Sequence, residues 1–309
     1  MGMGMNIALL EYLENVIPKE NIAVDEPMSK HTTFRTGGSA EAFLQVETEE
    51  QLRAVLQLLN KVEEPYYILG NGSNLLVSDE GYEGIIIQIG SKMSKVHIEG
   101  THLFVQAGAL LSQAAKTAYT YGLTGLEFAA GIPGSMGGAA VMNAGAYGGE
   151  MKQVITKVRV MSRDGEILEL DNATMEFGYR TSVIHHSHFI VLEVEMDLQQ
   201  GEKETINATM LELAQKRREK QPLEYPSAGS TFKRPEGYFA GKLIMDAGLK
   251  GYRVGDACVS EKHCGFIVNL GHATSSDIWR LIHEVQEKVY DMFGVALETE
   301  VLPLGKFEA

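Results

Sequence analysis

Two glycine-rich segments are the places in this chain where side-chain types and spacing suggest chemistry. The first is Leu69-Gly-Asn-Gly-Ser-Asn-Leu-Leu76, directly after a short apolar run. Gly70 and Gly72 let the backbone turn and bring successive N–H groups close to an anion. Ser73 and Asn74 add side-chain hydrogen-bonding groups, and Asn71 and Leu75 complete the segment. The second segment runs from Gly131 to Ala139 through Ile132, Pro133, Gly134, Ser135 and Gly138. It continues as Asn143-Ala-Gly-Ala-Tyr-Gly-Gly149, with no charged side chain before Glu150. So little bulk admits close approach of a flat or large ligand. The alternative is that both are tight loops in a glycine-rich protein. Neither fits the phosphate loop Gly-x-x-x-x-Gly-Lys-Ser/Thr, and Gly70-Asn-Gly72 leaves the dinucleotide fingerprint at Leu75. The spacing points to a nucleotide or diphosphate and does not say which.

Other polar groups carry weaker signals. Arg217 and Lys220, within Lys216-Arg-Arg-Glu-Lys220, suit an anionic ligand but equally the solvated face of a helix. His185, His186 and His188 cluster in what reads as a polar turn between strands. His263 lies between Cys258 and Cys264, either as a packed loop residue or as a group near a ligand. Two cysteines do not make a four-ligand zinc site, and no metal is expected. Free thiols fit the cytoplasm. A net charge of -14 argues against nucleic acid and against an anionic membrane surface. Met1-Gly-Met-Gly-Met5 lacks the basic and apolar regions of a signal peptide, and no apolar run reaches the roughly eighteen residues of a membrane span.

Several elements must hold these groups. Residues 7–17 read as a helix with Ile7, Leu10, Leu13 and Ile17 on one face. His31 to Gly38 is a polar turn. Thr48, with Gln51 three residues on, caps a helix carrying Leu52, Val55, Leu56 and Leu59. Residues 66–69, 85–89 and 103–106 read as strands, and 112–121 as a helix closed by Gly122. Strands follow at 154–161, 167–170 and 189–198, with a turn at Arg163-Asp-Gly165. A helix from Gly201 carries Ile206, Met210 and Ala214 and stops before Pro222. Ser276 is expected to cap a last helix with Ile278, Leu281, Ile282, Val285, Val289 and Met292 buried, closed by Gly294. Residues 297–304 read as a strand. The order is mixed, without strict strand–helix alternation, so the class is α+β.

Taken in order, six segments resemble the UDP-N-acetylenolpyruvoylglucosamine reductases. They are His31-Thr-Thr-Phe-Arg-Thr-Gly-Gly38, Gly70-Asn-Gly-Ser-Asn-Leu75, Gly131-Ile-Pro-Gly134 with Asn143-Ala-Gly-Ala-Tyr-Gly148, Phe177-Gly-Tyr-Arg180, Ala228-Gly-Ser-Thr-Phe-Lys233 and Glu300. The resemblance implies a two-lobed FAD-binding unit of the vanillyl-alcohol-oxidase type, at 1–65 and 66–205. It also implies a separate α+β substrate domain at 206–309, with the tail returning toward the flavin. The chain resembles the second type of the family, which lacks a tyrosine-bearing insertion. The likeness implies noncovalent FAD held by the two glycine loops, NADPH as hydride donor, and a UDP-sugar enolpyruvyl ether as substrate in peptidoglycan synthesis. It gives Ser230 the part of proton donor and Arg180 and Glu300 the part of stabilising pair. Arg217 and Lys220 would meet the substrate diphosphate, and Tyr147 the substrate or the flavin. Arg234 stands where many relatives have Asn. A monomer is expected. Two other readings remain open: an FAD oxidase of the same fold, and a flavin-binding module without activity.

Overall fold

The structure is a computed structural model and describes residues 7–308, so the segment Met1-Gly-Met-Gly-Met5 lies outside the described residues. The chain divides into two compact units. The first holds the chain up to Val24, then Ala42–Asn71 and Gly84–Arg217; the second holds Asp25–Glu41, Gly72–Glu83 and Arg218 onward.

In the first unit, the helix Glu49–Val62 is capped as its sequence indicates, with the Thr48 hydroxyl accepting the Gln51 N–H. Leu52, Val55, Leu56 and Leu59 are fully buried. The helix Ile7–Val16 differs from expectation. Its buried stripe is Leu9 and Leu13, continued by Ile17, while Ile7 is 74% exposed and Leu10 is half-buried. Leu9 and Leu10 are adjacent apolar residues, so periodicity alone admits two stripes; the i, i+4 line through Leu9 is the one that packs.

A four-stranded sheet has the order Ile22–Pro27, Ser39–Gln45, Tyr82–Gln88, Tyr66–Leu69. Its last two strands are parallel, with Ile68 opposite Ile87. A five-stranded sheet has the order Ile167–Asp171, Ile155–Met161, Ile190–Asp197, His102–Gln106, Val96–Glu99, antiparallel throughout. Val158, Val194 and Val105 stand in register across three of these strands and are fully buried. β-Branched residues suit this position, because they pack on a pleated surface. The short helix Met136–Val141 lies on the Ile190–Asp197 strand. The long helix Lys203–Lys220 buries only Ile206; Met210 packs partly on the core, and Ala214 remains half-exposed, so the expected stripe is narrower than its spacing suggests.

The second unit has its own core, including Phe34, Leu76, Val259, Ile267, Leu281 and Val285. A three-stranded antiparallel sheet, Arg253–Val254, Ala257–Val259 and Ile267–Asn269, packs with the helix Ser275–Phe293. That helix is capped by Thr274, not Ser276. Thr274 and Asp277 form a reciprocal capping box, whereas the Ser276 N–H and hydroxyl both donate to Asp79. The stripe from Ile278 to Val289 is buried as expected, but Met292 is 58% exposed in the final turn. Gly294, at φ 67°, closes the helix. The tail strand is shorter than read from sequence. The strand covers Leu302–Leu304, parallel to Leu75–Val77, with Thr299 in an isolated bridge, so it runs beside the segment that follows the first glycine loop.

Candidate active site

In the first unit the two glycine segments meet. A Cβ on Gly70 would collide with Ser135 Oγ, so a larger residue there would displace the hydroxyl that caps the next helix. Asn71 Nδ2 donates to Pro133 O at 3.1 Å. Ser135 caps the helix Met136–Val141, with Oγ accepting the Gly138 N–H at 3.4 Å, and Gly137 N–H donates to Ala107 O at 2.8 Å. The result is a surface of backbone and small side chains, on which Gly131, Pro133 and Gly138 are exposed and Ala139 is buried.

Next to it, Asn143 organises two loops. It is 2% exposed and sits at φ 45°. Its Nδ2 donates to Glu150 Oε2 and to Gly178 O, both at 3.0 Å, and its Oδ1 accepts the Lys152 N–H at 2.9 Å. Asn tolerates the left-handed region better than most residues. The Gly178 contact ties the 143–150 loop to the turn carrying Arg180. Arg180 itself lies at φ 56°, and its Nη2 donates to Gly145 O at 3.4 Å. Its guanidinium sits 5.1 Å from the Tyr179 ring. Tyr147, at φ 53°, is 44% exposed. Four of the chain's left-handed non-glycine residues (Asn143, Tyr147, Glu176 and Arg180) thus fall in these two loops. Such conformations persist where the surroundings over-determine them, and they gather at functional sites.

Arg217 joins this group. An ideal Cβ on Gly131 would lie 3.2 Å from Arg217 Cδ and 3.3 Å from Nη1. Desolvation holds the Arg217 guanidinium below its usual range, opposed by nearby Tyr147. Among the described residues it has no carboxylate partner. A half-buried cation without a counter-ion suits an anionic ligand.

The second unit brings Ser230 and Glu300 onto neighbouring segments. Glu300 N–H donates to Thr231 O at 2.8 Å, Phe232 bridges Thr299, and Lys233 N–H donates to Glu298 O at 2.8 Å. Asn74 Nδ2 donates to Glu300 O at 2.9 Å, and Leu302 N–H to Asn74 O at 3.0 Å. Thr231, next to the proton-donor candidate, is therefore hydrogen-bonded with the carboxylate candidate's segment and the end of the first glycine loop. Ser230 follows Gly229, which takes φ 75°, and its hydroxyl bonds to no protein group among the described residues. Lys220 is exposed at the end of its helix. Arg234 lies 4.0 Å over the Phe239 ring and donates from Nε to Tyr238 O at 3.3 Å.

The residues present fit a dinucleotide. Gly72 takes φ 61°, and a Cβ there would collide with His31 O. Among the described residues no protein acceptor takes the N–H of Asn71, Gly72 or Ser73. Unspent successive N–H groups around a left-handed glycine form an anion nest. The uncharged small-residue surface of the second loop suits a flat ring system.

His263 reads as structural. Its Nδ1 accepts the Gly265 N–H at 3.1 Å, and its ring meets Phe266 edge-on. The three histidines near 186 occupy the short helical turn Ile184–Ser187 and the residue after it, with all three exposed. In the sequence Asn143 stands only as part of a small-residue run and Glu150 only as the first charge after it; the structure joins them by a hydrogen bond. The available signal was an asparagine among glycines and alanines, where a buried polar residue must satisfy its own hydrogen bonds.

Comparison with known proteins agrees with this geometry. Residues 40–171 match the family described as FAD binding domain, and residues 221–304 match UDP-N-acetylenolpyruvoylglucosamine reductase, C-terminal domain. The UDP-N-acetylenolpyruvoylglucosamine reductase of Clostridioides difficile (strain 630) is 51% identical over 95% of this chain and 97% of its own length. That of Lachnoclostridium phytofermentans is 48% identical over 98% of this chain and 99% of its own. The crystal structure of UDP-N-acetylenolpyruvylglucosamine reductase from Thermus caldophilus matches with TM-score 0.80 and 38% identity, covering 92% of this chain and all of that one. A glucose dehydrogenase, Phl p 4.0202, matches at TM-score 0.51 and 11% identity over 94% of this chain and 60% of its own; that likeness is of fold alone.

Proposed function

This chain belongs to the UDP-N-acetylenolpyruvoylglucosamine reductase family, and on that premise we propose how its own residues perform the reaction. It is an FAD-containing oxidoreductase that reduces the enolpyruvyl group of UDP-N-acetylglucosamine enolpyruvate, giving UDP-N-acetylmuramate for peptidoglycan synthesis. FAD, held by the two glycine loops, would supply the hydride chemistry that links NADPH to the enolpyruvyl double bond.

The chain's side chains handle binding, charge and the proton. Gly70 to Leu75 and Gly131 to Ala139 hold FAD noncovalently through backbone and small groups. Hydride addition builds negative charge on the pyruvyl carboxylate, and Arg180 offsets it with a fixed guanidinium. Ser230 gives its proton to the other carbon; a weak acid does so only against a strongly basic intermediate and when held in place. The left-handed Gly229 and the ladder from Thr231 to Glu300 do that holding. Glu300 stands on the facing segment and steadies the same charge with Arg180. Arg217 and Lys220 take the substrate diphosphate, and Tyr147 borders the substrate. We assign 1–65 and 66–205 to FAD and 206–309 to the sugar nucleotide, a division by role whose boundaries differ from those of the two compact units. We place the enzyme in the cytoplasm as a single chain; among the described residues no helix is long and apolar enough to cross a membrane.

The observation that carries the site reading is the second unit's hydrogen-bonded group of Ser230's segment, Glu300 and Asn74. The test is direct. The purified protein should be yellow, should release FAD on denaturation, and should consume NADPH only with the enolpyruvyl sugar nucleotide present. Peroxide release from an alcohol would favour an oxidase instead, and a colourless protein without flavin affinity would remove both enzyme readings.

A further inference from the structure

We propose that Phe307 is a positioning residue for the reaction, acting through Glu300: packed against Trp279, it anchors the tail whose strand keeps the Glu300 carboxylate in place. This rests on the reading of Glu300 as part of the charge-stabilising pair. Glu300 stands just ahead of the strand Leu302–Leu304, which forms a two-stranded sheet with Leu75–Val77. Two strands of three residues are marginal by themselves, and chain ends fray unless they are tied down. Upstream, Thr231 and Asn74 hold the Glu300 backbone. The strand needs a second hold at its far end.

The tail supplies one. Ser78, 3% exposed, donates its N–H to Leu304 O at 2.8 Å and its hydroxyl to Lys306 O at 2.5 Å. Gly305 takes φ 92°, and a Cβ there would collide with Gly81 O, so the tail crosses the turn after Val77 in close contact. The Lys306–Glu83 ion pair is exposed on both sides and adds little. Phe307, the one large apolar residue after Leu304, then lies half-buried against Trp279, with ring centroids 4.8 Å apart. Trp279 belongs to the helix Ser275–Phe293, and that helix starts on the same turn, where Asp79 accepts the N–H groups of Ser275 and Ser276. The turn therefore fastens both the tail and the helix, and the aromatic pair closes the corner between them. Without the Phe307 ring the tail keeps backbone bonds but loses its apolar anchor, and the short strand behind Glu300 loosens. A catalytic group is sensitive to such a shift, since displacement by about an ångström costs on the order of a hundredfold in rate.

Phe307→Ala should keep its flavin and be reduced by NADPH at the wild-type rate, while single-turnover reduction of UDP-N-acetylglucosamine enolpyruvate slows about ten- to a hundredfold. Phe307→Tyr, which keeps the ring, should restore that rate. Trp279 is the chain's one tryptophan, so its fluorescence should shift to the red in Phe307→Ala as the ring is uncovered. Groups that act as a unit are not additive. Phe307→Ala combined with Glu300→Ala should therefore be no slower than Glu300→Ala alone. A wild-type rate in Phe307→Ala would overturn the proposal, and so would a slowing of the same size with and without the Glu300 side chain. Loss of flavin, or equal slowing of both half-reactions, would overturn it as well, by marking a role in the fold at large. If Glu300→Ala itself reduces the substrate at the wild-type rate, the reading of Glu300 fails first and this proposal with it.

Discussion

Ser230 illustrates how little a single side chain needs in order to matter. Its hydroxyl bonds to no protein group among the described residues, so Ser230→Ala should change stability by no more than about 0.5 kcal/mol. The same change should leave NADPH reduction of the flavin intact and slow substrate reduction by roughly a hundred- to ten-thousand-fold. Single-turnover measurements of the two half-reactions decide it; equal survival of both would remove Ser230 as the proton donor. His263 makes a different kind of prediction. Burial pushes its imidazole below the ordinary range, and Nδ1 accepts a backbone N–H, which requires the neutral ring. Below about pH 6.5 the unfolded chain binds a proton that the folded one refuses. The stability this residue contributes is therefore whole above that pH and is lost as pH falls through the folded value. The melting temperature of wild type should drop between about pH 7.5 and 5 by more than that of His263→Gln. Equal drops would contradict it. Residue types were legible in the sequence at Arg180, Ser230 and Glu300 only through the order of motifs. No local pattern marks an arginine as left-handed or a serine hydroxyl as unspent.

Among the elements, the sequence served best where one face decides the outcome. The cap at Thr48 and the stripe from Leu52 to Leu59 follow from spacing alone. It served worst where two choices were chemically alike. Leu9 and Leu10 offered two stripes, and Thr274 and Ser276 offered two caps. In both cases packing partners distant in sequence chose between them; for Ser276 the partner is Asp79. The loop element around Asn143 was visible as a run of small residues, but its linkage to the Arg180 turn was not, because the hydrogen bond to Gly178 spans thirty-five positions. Asn143→Ala removes three hydrogen bonds and leaves the Gly178 carbonyl and the Glu150 carboxylate, both on half-buried residues, and the Lys152 N–H short of a partner. It should cost about 2–4 kcal/mol of stability. It should also depress turnover more than FAD affinity, since the freed turn carries Arg180. A thermal melt beside flavin content and kcat checks both; unchanged turnover in a folded, flavin-loaded variant would separate Asn143 from Arg180.

For the whole molecule, the class was legible before any geometry. An acidic chain with two glycine-rich loops, each beside strands, argued against nucleic acid and anionic membrane surfaces. What composition did not give was how the chain is divided. The Gly70 loop runs from one compact unit into the other at Asn71 and Gly72, and the tail strand Leu302–Leu304 returns to pair with Leu75–Val77. That return depends on a pairing across more than two hundred residues, which no local signal predicts. It sets Glu300 beside Asn74 and gives the account its centre: one flavin, reduced by NADPH and reoxidised by the sugar nucleotide. The most direct measurement is an anaerobic one. NADPH should bleach the flavin absorbance, and UDP-N-acetylglucosamine enolpyruvate, added without air, should restore it mole for mole. Recovery of the colour only on admitting oxygen would contradict the account.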